Sequence, residues 1–169
     1  AGLANVSNAI HAESYVLVDG QPDGKVKTIL MGIRDKVGAD HVEYVKGCAI
    51  RDTLHTDIPA AVAAAKRADV VVVAVGGSSA RDFKTSYKAT GAAEADITSV
   101  SDMDSGEGYD RATLTLLGRQ QELLAALRQT GKPLVVVYIE GRPLDKSWAA
   151  AHADALLTAY YPGQEGGQA

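Results

Sequence analysis

The sequence predicts an α/β fold: a three-layer α/β/α sandwich built on a mostly parallel sheet. Two observations carry this. First, Asp69-Val70-Val71-Val72-Val73-Ala74-Val75 and Leu134 to Ile139 are unbroken apolar runs of strand length, the pattern of parallel strands covered on both faces rather than the alternation of a half-exposed sheet. Second, these runs alternate with helical patterns through short turns, which gives right-handed βαβ units with helices on both faces.

Each element has its own local reason. Val26, Ile29, Leu30, Ile33 and Val37 fall at i, i+3, i+4, i+7 and i+11, one face of a helix, with Gly38 as its C-terminal stop. His41-Val42-Glu43-Tyr44-Val45 alternates and reads as a strand with one face less buried. Asp57 offers an N-cap, Pro59 fits the first turn, and Ile58, Val62 and Ala65 form the apolar stripe of an Ala-rich helix. The Val70–Val75 strand follows almost at once. A helix spans Gly118 to Thr130 with Leu123, Leu124 and Leu127 facing in, and Gly131-Lys132-Pro133 stops it. The Leu134–Ile139 strand ends at Glu140-Gly141-Arg142-Pro143. A short helix over Asp145–Ala151 leads to a last strand, Ala155 to Tyr160. Tyr15–Val18 is a weaker strand candidate, and Ala1 to Ala12 shows no strand pattern. No internal repeat or low-complexity linker divides the chain.

Bulk properties narrow the function classes. The 169 residues amount to one domain with a good core. A formal charge of −4 leaves no electrostatic footprint for nucleic acid or for an acidic membrane surface, and no apolar stretch reaches membrane-spanning length. Cys48 is the only cysteine, which rules out an internal disulfide or a thiolate cluster and suits a small buried hydrophobe. The chain closes on Tyr160-Tyr161-Pro162-Gly163-Gln164-Glu165-Gly166-Gly167-Gln168-Ala169, a strand exit followed by the opening of a helix. The expectation is a piece of a longer protein, truncated at its C-terminal end.

In open α/β sheets, ligands meet the loops at the carboxyl ends of the strands. More than thirty residues separate the Val70–Val75 strand from the helix at Gly118, and loops of that length inside a compact domain are mostly functional or disordered. Gly76-Gly77-Ser78-Ser79 opens this loop. It lacks the Lys-Ser/Thr of a phosphate-binding loop and the spacing of a dinucleotide fingerprint, so a tight strand exit is the expectation. Glu94, Asp96, Asp102, Asp104, Glu107 and Asp110 invite a calcium reading. Counted from Asp102, however, Gly106 falls at the fifth position and Thr113 where a bidentate Glu belongs, so the EF-hand template fails and a solvated acidic loop is expected. No metal ligand set emerges. His11, His41, His55 and His152 have no ligand spacing, and Ser78 and Ser79 lack a nucleophile-elbow context.

Glu107 stands apart. Flanking glycines let the backbone bring its carboxyl close to a ligand. An acid that donates a proton near neutral pH needs partial enclosure to raise its pKa, and Tyr109 offers a wall. The bland alternative is a loop carboxylate paired with Arg111.

Ser105-Gly106-Glu107-Gly108-Tyr109-Asp110-Arg111, then Leu114 to Leu124, resembles the second domain of glycoside hydrolase family 3, the family of β-glucosidases and β-xylosidases. The resemblance extends upstream to Ala68-Asp69-Val70-Val71-Val72-Val73. Downstream it runs through Gly131-Lys132-Pro133-Leu134 and Gly141-Arg142-Pro143 to Tyr160-Tyr161-Pro162-Gly163-Gln164-Glu165-Gly166-Gly167. It implies an exo-acting, retaining β-glycosidase in which a preceding barrel domain, absent here, carries the nucleophilic aspartate. Glu107 would then be the general acid/base, Tyr109 a wall of the sugar or aglycone site, and Asp110 and Arg111 a pair that orders the loop and contacts substrate. No cofactor is implied. The implied partners are a β-glycoside or oligosaccharide and the barrel domain, with homodimerisation open and an extracytoplasmic location suggested. The isolated 169 residues would fold without hydrolysing glycosides. The competing readings are a non-catalytic carbohydrate-binding module, with Glu107 merely paired to Arg111, and a flavodoxin-like phosphate or nucleotide binder using the Gly76 loop.

Overall fold

A computed structural model describes residues 2–4, 17–18, 21–22, 27–79, 86–87, 89–90, 93–94, 104–105, 110–163 and 165–169. Its centre is a five-stranded parallel sheet of β1 (Gly2–Ala4), β4 (Glu43–Val45), β5 (Val71–Gly76), β8 (Leu134–Ile139) and β9 (Ala155–Thr158), in the spatial order β4-β1-β5-β8-β9. Two small antiparallel pairs stand apart from it, β2 (Leu17–Val18) with β3 (Gln21–Pro22) and β6 (Ser86–Tyr87) with β7 (Ala93–Glu94).

Two placements depart from the sequence reading. β1 pairs with both β4 and β5, Leu3 lying beside Tyr44 and Val72. Three residues are too few to show a period of two, so this strand has no local signature and exists because partners flank it on both sides. Leu17–Val18, inside the weak strand candidate, joins the β2–β3 hairpin and not the main sheet. In the sequence, Asp19-Gly20 stands between these two strands, a dipeptide that favours antiparallel pairing of its flanks.

The helices follow the expected stripes with adjusted ends. Helix α1 (Ile29–Val37) is capped by Thr28, whose Oγ1 accepts from the Met31 N–H at 3.1 Å, and stops at Gly38 with φ 91°. None of its residues is fully buried. A 3-10 turn over Ala39–His41 takes the first residue of the expected next strand, which shortens β4. Helix α2 (Ile58–Arg67) uses the Asp57 cap, and Ile58, Ala61, Ala64 and Ala65 are its buried face. Helix α3 (Gln120–Arg128) starts later than Gly118 because that glycine adopts φ +58°, where a Cβ would lie 2.7 Å from the Ile50 carbonyl oxygen. Helix α4 (Ser147–His152) begins where the Asp145 carboxylate accepts from both the N–H and the Oγ of Ser147.

α2, α3 and α4 cover one sheet face, where Leu123, Leu124 and Leu127 pack with Val71, Val73, Val75, Val136 and Tyr138. α1 lies on the other face, its Ile29 against Ala74, Val137 and Ile139. The arrangement is the expected three-layer sandwich. Each fully buried Leu or Val stabilises by roughly 1.5–3 kcal/mol, so the α2–α3 side holds most of the apolar free energy. The C-terminal turn closes on α1: the Gly167 N–H donates to the Lys27 carbonyl at 2.7 Å, and Gly32 and Gly167 approach backbone to backbone. No helix among the described residues is long and apolar enough to cross a membrane.

Candidate functional site

Because every strand of the main sheet runs the same way, the loops after β4, β5, β8 and β9 gather at one end. Their bases interlock through backbone. At the exit of β5, Gly76 has φ +145°, and a Cβ there would fall 1.8 Å from the Ile139 carbonyl oxygen. The Gly77 N–H donates to that same oxygen at 3.0 Å. Glycine is thus the residue that lets β5 and β8 stay paired this closely at their carboxyl ends without a clash.

Gln120, buried to 3% exposure, fixes this exit from the other side. Its Oε1 accepts from the Gly76 N–H at 2.7 Å, and its Nε2 donates to the carbonyls of Gly76 (2.8 Å), Ile50 (3.1 Å) and Leu117 (3.2 Å). One side chain therefore ties together the ends of β5, the loop after β4 and the start of α3.

The long loop returns to the sheet at Asp104, and the return is elaborately held. Ser78 donates its N–H to Asp104 Oδ1 at 2.7 Å, while its carbonyl accepts from the N–H groups of Asp104 (2.8 Å) and Ser105 (3.3 Å). Arg111 Nη1 donates to Asp104 Oδ2 at 3.1 Å, with the two side chains 8% and 3% exposed. Arg111 Nη2 also donates to the Thr115 carbonyl. Ser105 Oγ lies 2.6 Å from the Tyr161 hydroxyl, and the Tyr161 ring fills the space above Gly141, where a Cβ would be 2.4 Å from it. Tyr161 is aimed by its neighbour: Tyr160 takes φ 52°, a left-handed conformation costing a non-glycine residue on the order of 1 kcal/mol. That turn ends β9 at Thr158, short of the expected Tyr160.

The expectation of a solvated acidic loop fails for Asp104, which is 4% exposed and paired. A carboxylate enters such a place only with partners for its charge and lone pairs. Glu140, also 4% exposed, obeys the same rule, accepting from Lys146 Nζ at 2.5 Å and from the Leu144 N–H at 3.1 Å. Lys146 Nζ also lies 5.1 Å above the Tyr138 ring, whose hydroxyl pKa is pushed up to about 12 by burial and, secondarily, by the charges of Asp145 and Glu140. Cys48 is buried as expected, and burial pushes its thiol up to about 11.

The sequence-derived site residues divide as follows. Glu107 and Tyr109 lie outside the described residues; Asp110 is exposed; Arg111 is engaged by Asp104 and Thr115. Ser105, Gln120 and Tyr161 carry no individual role in the sequence reading, which places Asp104 only among solvated loop acids. The anion seated against the glycine-rich exit of β5 is the chain's own Asp104, and a Cβ on Gly77 would stand 2.1 Å from its Oδ1. With the Gly77 and Ser78 N–H groups already engaged, the loop reads as a strand exit and not as a phosphate cradle.

Comparison with known proteins is consistent across sequence and structure. The profile of the glycosyl hydrolase family 3 C-terminal domain matches residues 4–169. A β-xylosidase of Formosa agariphila is 38% identical over 144 residues, covering 84% of this chain and 17% of that protein. A periplasmic β-glucosidase of Salmonella typhimurium is 32% identical over 163 residues, covering 84% of this chain and 18% of its own length. A solved β-glucosidase from Erythrobacter marinus superposes with a TM-score of 0.65 at 32% identity, over 98% of this chain and 23% of that one. The chain thus spans less than a fifth of the length of these two curated relatives.

Proposed function

The chain belongs to the family of glycosyl hydrolase family 3 C-terminal domains, and from that premise we propose that it is the α/β-sandwich domain of a longer, retaining, exo-acting β-glycosidase. Its substrates in this reading are terminal β-linked sugars of the glucoside or xyloside kind, in keeping with the names of its relatives. One observation supports the reading at a residue: the sequence Gly106-Glu107-Gly108-Tyr109 falls between Asp104 and Arg111, which pair with each other where Asp104 is anchored to the exit of β5 at the carboxyl end of the parallel sheet.

Glu107 acts first as general acid, protonating the glycosidic oxygen as the leaving group departs. It then acts as general base, taking a proton from the water that releases the sugar from the enzyme. A retaining pair of carboxyls stands about 5–5.5 Å apart, so the nucleophile comes from a partner domain, the expected barrel, on which these loops pack. Tyr109 and Asp110 line the substrate side, and Arg111 contributes through its hold on the loop. With half of the carboxyl pair elsewhere, the 169 residues alone do not turn over an aryl β-glucoside. An extracytoplasmic location fits the periplasmic relative.

The test is Glu107→Ala in the intact parent enzyme, assayed on an aryl β-glucoside or β-xyloside with a good leaving group, with and without azide. Collapse of turnover by about 10²–10⁴-fold, restored by azide with formation of a β-glycosyl azide, supports the assignment. Azide attacks the glycosyl-enzyme in place of water and needs no base to deprotonate it, so it bypasses the missing glutamate only in the second step. Near-normal activity refutes it.

A further inference from the structure

The ion pair between Asp104 and Arg111 brackets residues 105–110, the stretch that contains Glu107. Both side chains are more than nine-tenths buried, although a buried ion pair is a poor source of net stability and is better suited to fixing geometry. Around it, the Ser78 backbone makes two hydrogen bonds to Asp104 and one to the Ser105 N–H, Arg111 reaches the Thr115 carbonyl, and Tyr161 holds Ser105 from beyond the end of β9. Ser78, Thr115 and Tyr161, from three separate places in the chain, thus converge on Asp104, Ser105 and Arg111.

We propose that Asp104 is a positioning residue for the acid/base: through Arg111 and Ser78 it fixes the loop neck, and so fixes where the Glu107 carboxyl is presented to the leaving oxygen. The inference rests on the reading of Glu107 given above. Glu107 is three positions beyond Asp104 in the sequence, a chain reach of at most about 10 Å, so the anchored neck bounds where the carboxyl can stand. Both carboxylate oxygens of Asp104 face donors, Oδ1 the Ser78 N–H and Oδ2 the Arg111 guanidinium. An asparagine keeps the shape but must turn an NH2 toward one of those donors. The neck then shifts or loses one pin while the core beneath it stays intact.

A misplaced general acid leaves a specific signature. Departure of a poor leaving group depends on proton donation, whereas a dinitrophenolate leaves without it. The experiment measures kcat/KM of the intact enzyme on phenyl and 2,4-dinitrophenyl β-glycosides for the wild type, Asp104→Asn, Tyr161→Phe and Glu107→Ala. For Asp104→Asn, kcat/KM on the phenyl glycoside should fall by roughly 10–100-fold, with less than about a threefold change on the dinitrophenyl glycoside. Tyr161→Phe, which keeps the ring over Gly141 and deletes only the hydroxyl, should shift the same ratio by a smaller factor, on the order of three to ten. It serves as the test if Asp104→Asn does not fold.

Equal losses on both substrates, or no loss, overturn the role of Asp104, because a merely structural defect lowers active enzyme for every substrate alike. Glu107→Ala separates the two ideas. Azide rescue of Glu107→Ala together with an unselective Asp104→Asn removes the positioning role and leaves the acid/base standing. Near-normal kcat/KM of Glu107→Ala on the phenyl glycoside removes both.

Discussion

Replacing Gln120 by alanine deletes the clamp at the exit of β5, and the cost follows from what is left behind. The Gly76 N–H loses its 2.7 Å acceptor, and the Gly76 and Ile50 carbonyls lose donors at 2.8 and 3.1 Å, all beside a side chain that is 3% exposed. An orphaned buried backbone N–H costs about 1–3 kcal/mol, and each lost carbonyl bond about 1 kcal/mol. The loss therefore comes to roughly 3–5 kcal/mol, in the range where a single substitution is diagnostic. Equilibrium urea unfolding of the 169-residue chain reads it directly. With an m-value on the order of 2 kcal/mol per molar, the midpoint should drop by roughly 2 M at unchanged slope. Gln121→Ala, on the exposed side of the same helix turn, should change stability by less than about 0.5 kcal/mol. Gln120→Glu should fare no better than alanine, since a carboxylate cannot donate to the three carbonyls Nε2 now serves. A midpoint shift below about 0.5 M for Gln120→Ala would refute the claim that this side chain holds the strand exit.

Two further outcomes are expected of the same chain. Gly32→Ala should destabilise, although alanine in a helix interior is worth about 1 kcal/mol over glycine; the new Cβ would stand 1.6 Å from the Gly167 carbonyl oxygen and push the C-terminal turn off α1, which faster proteolysis after residue 160 would report. Stability should also fall at alkaline pH. Cys48 and Tyr138 have ordinary values of 9.0 and 10.0 and are raised by burial to about 11 and about 12. The unfolded chain releases these protons first, so their contribution is complete below pH 9 and is lost as pH rises through the folded values. A urea midpoint flat from pH 9 to 12 contradicts it.

Much of this architecture was legible locally. The Val-rich runs of β5 and β8 announce strands covered on both faces, Asp57 and Pro59 open α2, Gly38 stops α1, and the spacing of Leu123, Leu124 and Leu127 gives the buried face of α3. The Glu107 run and its flanking blocks were enough to recognise the family, which the profile match over residues 4–169 bears out. β1 was invisible because three residues carry no periodicity; its place between β4 and β5 comes from pairing on both sides. The polar framework around the loop was likewise hidden. Asp104 sits among loop acids that composition marks as solvated, yet it is buried against Arg111 and Ser78. Gln120 meets Gly76 across 44 residues and Ile50 across 70, and Ser105 meets Tyr161 across 56. Sequence alone determined the layers, the order of most elements and the family, because side-chain periodicity and capping act within a few residues. Which polar groups hold the loop was decided only by the tertiary structure, since a hydrogen bond requires two atoms within about 3 Å and the folded sheet alone brings such distant residues that close.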